Sequence, residues 1–243
     1  WIFIPSGDIG RSLVNDPALG PIELRKEFMR NPAAYGSAAP TPGAANAAPS
    51  FDEAKDRVRE IVLRKLVKER GERIATFARD WSRSQVKDLP AESGIYKLPA
   101  DWASKMPSLA VLSGEIGTRF SMPLPRVDTS GAGWLTPAEV DTNAFLGKAG
   151  TTEFGQPMKL SGLVKGLHEF DANSRIPAQA MLTGPVLTTP NDDIVIWRVT
   201  EAEPAHEPAS MDEVRDAVLR DTISQLRYEA LVKKSPEILA KAN

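Results

Sequence analysis

The alternation of apolar and polar positions divides the chain into a few readable elements. Bulky apolar residues fill Trp1-Ile2-Phe3-Ile4 and stop at Pro5, which predicts a short strand. Pro21 suits a first helical turn, and Ile22, Leu24, Arg25 and Phe28 predict a mixed amphipathic helix reaching Asn31. Residues 36–49 (GSAAPTPGAANAAP) read as an Ala/Pro/Gly linker, expected to be exposed or mobile. Ser50-Phe51-Asp52-Glu53 then forms a capping box, in which each side chain satisfies the other residue's backbone N–H, so a helix starts there. Ala54, Val58, Ile61, Val62, Ala75, Ala78 and Trp81 carry its three- and four-residue spacing through 50–89, with Gly71 as the place for a bend.

Residues 90–137 hold Pro and Gly too often for long regular elements, and a loop-rich body with a short helix around Asp101–Met106 is expected. Short helices are expected within 137–146, opened by a second capping box at Thr136 and Glu139, and within 157–166. The clearest β signal is Gly184–Thr189, a turn at 190–193 and Ile194–Val199, which predicts an antiparallel hairpin rich in β-branched residues. The last helix begins at Ser210 with the same box as the helix at Ser50. Ser210-Met211-Asp212-Glu213-Val214 repeats Ser50-Phe51-Asp52-Glu53-Ala54 at an offset of 160 positions, through duplication or through convergence on a good cap. Its apolar face is Val214, Val218, Ile223, Leu226, Ala230 and Leu231, and it is expected to end or restart at Pro236.

Composition narrows the chemistry. In 243 residues, 42% are hydrophobic and 26% charged, enough apolar material for a core. The formal charge of −2 lacks the basic footprint of a nucleic-acid binder. With Cys 0 and His 2, the chain cannot build a disulfide, a thiol nucleophile, a Cys/His zinc centre or a multi-histidine metal site. A cysteine-free chain also fits an oxidising compartment. No cofactor or metal is expected. The chain opens at Trp1 without an initiator Met or a signal-like segment, which leaves an upstream membrane anchor open.

The common catalytic and phosphate-binding motifs are missing, with no GxSxG, GxxxxGK or strand-linked GxGxxG. Asp141-Thr142-Asn143 and Asp171-Ala172-Asn173 begin like calcium loops but lack the glycine and glutamate such loops need, and read better as turns or caps. Asn191-Asp192-Asp193 reads as a turn. His168 and His206 have no evident reacting partner, and the charge-rich stretch Arg64–Arg73 is interleaved with Glu69 and Glu72 as on a solvated helix face.

The C-terminal third carries a resemblance. Thr183-Gly184-Pro185-Val186, the strand Ile194-Val195-Ile196-Trp197-Arg198-Val199-Thr200, Glu203-Pro204-Ala205 and Met211-Asp212-Glu213-Val214-Arg215 resemble the end of a parvulin-type domain and the following helix in periplasmic SurA/PpiD-like folding factors. Glu23–Tyr35 (ELRKEFMRNPAAY) is similar to the helix and exit that precede their isomerase domain, and Phe51–Val58 to another of their helix starts. Gly133-Trp134-Leu135 resembles the family's mid-domain turn, although it lies far before Gly184. The resemblance implies an α+β fold: long amphipathic helices packed around a smaller parvulin-like α/β domain with a C-terminal β-hairpin. The implied division is 1–35 as strand and helix, 36–49 as linker, 50–89 as the long helix, 90–200 as the degenerate parvulin-like domain and 201–243 as the returning helix.

The family's active-site histidines are absent, and the matching last-strand positions are Asp193, Ile194 and Val195. The resemblance therefore implies a periplasmic, chaperone-like factor that binds unfolded, extended or outer-membrane polypeptide clients without catalysis. Phe145, Phe170, Met181 and Trp197 are the candidate client-binding residues, and no catalytic residue is assigned. An active prolyl cis-trans isomerase and a structural subunit of a larger or homo-oligomeric assembly are the alternatives.

Overall fold

The computed structural model describes residues 1–35, 49–92, 94–131, 133–174, 176, 178–204 and 207–242, the side chains of Glu213 and 236–242 excepted. The linker at 36–49 and His206 thus fall almost wholly or wholly outside the described residues. The chain forms two units, Trp1–Glu203 and Pro204–Asn243.

The first unit has an α+β architecture built on a small antiparallel sheet. Strands β1 (Ile2–Ile4), β4 (Arg126–Val127), β5 (Gly150–Thr151), β6 (Met158–Lys159), β7 (Leu187–Thr188) and β8 (Ile194–Ile196) lie in the order β4-β1-β8-β7-β5-β6. Residues from the start of the chain therefore sit inside the sheet: Ile2 pairs with Ile196 and Ile4 with Ile194 on one side, and Ile2 with Val127 on the other. β7 pairs with β8 through Leu187 opposite Val195 and Thr188 opposite Ile194. A separate two-stranded ribbon joins β2 (Ala91–Glu92) to β3 (Ile95–Tyr96).

Strand side chains alternate between faces, and both faces of this sheet are covered. Ile2, Ile4, Ile194 and Ile196 pack with α1 (Ser6–Ser12), α3 (Phe51–Val86) and α5 (Leu109–Phe120) in one core. Phe3, Val195 and Trp197 turn to a second core formed by α6 (Pro137–Thr142), α7 (Leu160–Lys165) and the chain after them. Two-sided burial is why β1 and β8 are near-continuous apolar runs. A third cluster, Leu19, Leu24, Phe28, Tyr35, Ala54 and Val58, fastens α2 (Pro21–Arg30) to the first half of α3.

The capping boxes form as their sequences predict: the Ser50 N–H donates to Glu53 Oε2 at 2.8 Å, and the Thr136 N–H to Glu139 Oε2 at 2.7 Å. From Ser50, α3 runs 36 residues, about 54 Å, and is unbroken at Gly71. There the missing side chain admits Ile194, whose Cδ1 would lie 3.4 Å from an added Cβ. Ile61, expected on the apolar face, is 40% exposed, and Ile74 is fully buried in its place on the sheet.

The loop-rich expectation for 90–137 is corrected by α5, a 12-residue helix that contains Gly114 and Gly117. Burial of Leu112, Ile116 and Phe120 at four-residue spacing outweighs the propensity cost of two glycines, about 1 kcal/mol each. Gly117 also lets the chain double back past it, with Met122 O 3.6 Å and Leu124 Cα 3.7 Å from where a Cβ would be. Within 157–166 only α7 is helical, preceded by β6.

In the second unit, α8 (Met211–Ala242) continues through Pro236, where a stop or restart was expected. Of its expected apolar face, Val218, Ile223, Leu226 and Leu231 are exposed. Among the described residues no helix is long and apolar enough to cross a membrane.

Candidate functional site

A cleft of about 290 Å³ opens in the first unit between the C-terminal half of α3 and the segments that cross over it. Arg79, Ser82, Arg83 and Val86 reach it from α3 at three- and four-residue steps, one face of the helix. Tyr96 comes from β3, Trp102 and Met106 from α4 (Trp102–Lys105) and its exit, and Met181 to Val186 from the chain entering β7.

Side chains that bond to distant backbone hold these walls together. Gln179 accepts from the Tyr96 N–H at 3.1 Å and donates to Tyr96 O at 2.9 Å, acting as a short strand against the ribbon. The Trp102 indole donates to Met181 O at 3.3 Å. Arg198 Nη1 donates to Pro107 O at 2.9 Å and its Nη2 to Thr183 Oγ1 at 3.3 Å.

Met181 has φ +67°, a left-handed backbone costing a non-glycine residue about 1 kcal/mol. Its N–H donates to Val199 O at 2.7 Å, and the residue before it is pinned by the Ala180 N–H on Glu169 Oε1 at 3.0 Å. These bonds hold the strained residue where its side chain lines the cleft.

Electrostatically the cleft is positive. Arg79, Arg83 and Arg198 line it against one carboxylate, Glu153, which pairs with Arg79 at 2.9 Å. Burial pushes the Arg198 guanidinium below its ordinary pKa, and its Nε is buried with no hydrogen-bond partner.

The four residues singled out from the sequence do not converge. Met181 lines the cleft. Trp197 is 4% exposed, with its indole donating to Pro185 O at 2.8 Å and its ring over Gly184, so it is core and not a surface for clients. Phe145 is half-buried against Phe3, ring centroids 4.9 Å apart, with the Arg126 guanidinium over it at 5.7 Å. Phe170 is exposed, away from the cleft lining. Sequence reasoning missed Tyr96, Trp102, Met106, Arg83 and Arg198 as cleft residues. The i, i+3, i+4, i+7 set on α3 was the one local signal available.

The acidic tripeptides act as turns. Asn143 Oδ1 accepts from the Phe145 and Leu146 N–H groups at 3.0 Å each, and Asp141 Oδ1 accepts from Ser161 Oγ at 2.8 Å. Asp171 Oδ1 accepts from the Asn173 N–H at 3.0 Å. Asp193 accepts from the Ser6 N–H at 2.9 Å and from Thr189 Oγ1 at 2.9 Å. His168 is half-buried, and its N–H donates to Ala178 O at 3.0 Å. Among the described residues no three His, Cys, Asp or Glu side chains gather to hold a metal ion. No family model, curated protein or solved structure matches the chain.

Proposed function

We propose that the chain is a chaperone-like folding factor of the periplasm that holds unfolded or extended polypeptide clients without catalysis. In this reading residues 90–200 are a degenerate relative of a parvulin-type domain. The observation that carries it is the cleft: Val86, Tyr96, Trp102, Met106, Met181 and Pro185 give it apolar walls. Several of its polar side chains, Gln179, Trp102 and Arg198, bond to backbone within the fold. Apolar walls with a few fixed polar groups suit binding. A prolyl isomerase reading finds Ile194 and Val195 buried and Asp193 committed to a turn at the corresponding strand.

The assembly-subunit reading has one observation in its favour. On α8, Met211, Leu219, Leu226, Tyr228 and Leu231 are each more than half exposed, an apolar surface that a second chain would cover. Suppression of aggregation of a chemically unfolded client at equimolar protein, with light scattering of the protein alone, separates the readings. A monomer that suppresses aggregation supports holding. A stable oligomer that leaves aggregation unchanged replaces it with the assembly reading.

A further inference from the structure

Among the described residues, the groups that hydrogen-bond Arg198 are neutral. Its two hydrogen-bonded acceptors are the Pro107 carbonyl and the Thr183 hydroxyl, its Nε is buried without a partner, and no described carboxylate forms an ion pair with it. A desolvated guanidinium without a counter-charge is costly to maintain. The cleft that it lines adds Arg83, also without an ion pair among the described residues, while Glu153 balances only Arg79. Low-dielectric walls concentrate that positive field in the cleft, beside the apolar surface of Trp102, Met106 and Met181.

We propose that the cleft receives the free carboxylate end of an extended polypeptide, with the carboxylate at the Arg198 and Arg83 side and the last apolar side chain against Trp102, Met106 and Met181. Two features favour a chain end over an internal acidic segment. A volume of about 290 Å³ is at the low end for ligand pockets, sized for one or two side chains and not for a run of them. A terminal residue also supplies the anion and the apolar side chain from one position, whereas an internal Asp or Glu brings the anion on a polar side chain and leaves the apolar wall unfilled. This inference rests on the client-holding reading and names what the site takes hold of.

The probe is an N-terminally fluorescein-labelled Gly-Ser-Gly-Ala-Val-Leu peptide, as free acid and as C-terminal amide, titrated by anisotropy into the full chain. Hexanoate serves as competitor. The free acid is expected to bind about tenfold or more tightly than the amide, as loss of a charge-assisted contact predicts, with the difference shrinking as salt is raised. Arg83→Gln changes an exposed residue on α3 and is expected to bring the acid to within about threefold of the amide. Arg198→Gln is expected to do the same, with circular dichroism confirming that the fold survives.

Equal binding of acid and amide overturns end recognition while leaving client holding in place. An acid preference that persists in Arg83→Gln overturns the assignment to this cleft. Hexanoate competing at the same concentration as the peptide overturns the polypeptide part of the proposal. Binding of neither peptide overturns the inference, and the aggregation assay then separately decides whether holding survives.

Discussion

Two glycines against the sheet give opposite expectations for the same substitution. Gly71 lies inside α3, where an added Cβ would sit 3.4 Å from the Cδ1 of Ile194, the flexible tip of a buried side chain. Gly71→Ala gains about 1 kcal/mol of helix propensity, reduced by that tight contact to about 0.5–1 kcal/mol. For a unit of this size, 1 kcal/mol corresponds to about 2–4 °C in Tm, so a rise of about 1–4 °C is expected. Gly184 also meets the sheet, but an added Cβ there would overlap Cζ2 and Cε2 of Trp197.

That indole cannot turn aside without loss, since it is 4% exposed and its N–H donates to Pro185 O at 2.8 Å. Overpacking costs about 1–3 kcal/mol, and an indole N–H left without its acceptor costs a further 1–3 kcal/mol or so. Gly184→Ala is therefore expected to lose about 2–6 kcal/mol and about 4–24 °C. Urea unfolding followed by tryptophan fluorescence, with thermal circular dichroism, measures both variants. A Gly71→Ala protein less stable than the parent, or a Gly184→Ala protein equal to it, would refute the packing of α3 and Trp197 on the sheet.

Removing the Gln179 clamp with Gln179→Ala leaves the Tyr96 N–H and carbonyl without these partners, which is expected to cost about 1–3 kcal/mol and to speed proteolysis at 90–99. Unchanged cleavage there would mean that the clamp does not hold the ribbon. The capping carboxylates Glu53 and Glu139 have lowered pKa values because they accept first from the backbone N–H of Ser50 and Thr136 and then from those residues' hydroxyls. A depressed folded value means that their contribution is present above the unfolded pKa of about 4.3 and is lost as pH falls through the folded value. The Tm gap between the parent and a Glu53→Ala, Glu139→Ala double variant is thus expected to narrow from pH 7 to pH 3, and a constant gap would count against ionised caps.

What could be read from the sequence was what is local. Ser50 with Glu53 and Thr136 with Glu139 are contacts between residues three apart, so the residues that make the cap also announce it. β1 and β8 were legible because burial on both faces leaves unbroken apolar runs. α5 was not, because Gly114 and Gly117 read as breakers until the packing of Leu112, Ile116 and Phe120 is known. The cleft was illegible for a different reason. The bonds that assemble it, Tyr96 with Gln179, Trp102 with Met181 and Arg198 with Pro107, join residues 83, 79 and 91 positions apart. Aromatic and Met side chains mark a core as readily as a binding surface, which is how Trp197 and Met181 could be chosen together and end in different surroundings.

The size of the cleft bounds how tightly it can hold anything. Burying one leucine-sized side chain contributes about 1.5–3 kcal/mol, and hydrogen bonds to a charged group about 1.5–3 kcal/mol. Association itself costs at least about 4 kcal/mol against the gross interaction. These terms leave at most about 2 kcal/mol, and only a few further contacts along the peptide backbone are available in about 290 Å³, so single-site affinity in the millimolar range or weaker follows. Binding of that strength is matched to the proposed role: a factor that releases clients unchanged needs a short residence time, because it has no chemical step to drive dissociation. Nanomolar binding of a short free-acid peptide would exceed what these walls supply, and would place the main contact on a surface other than this cleft.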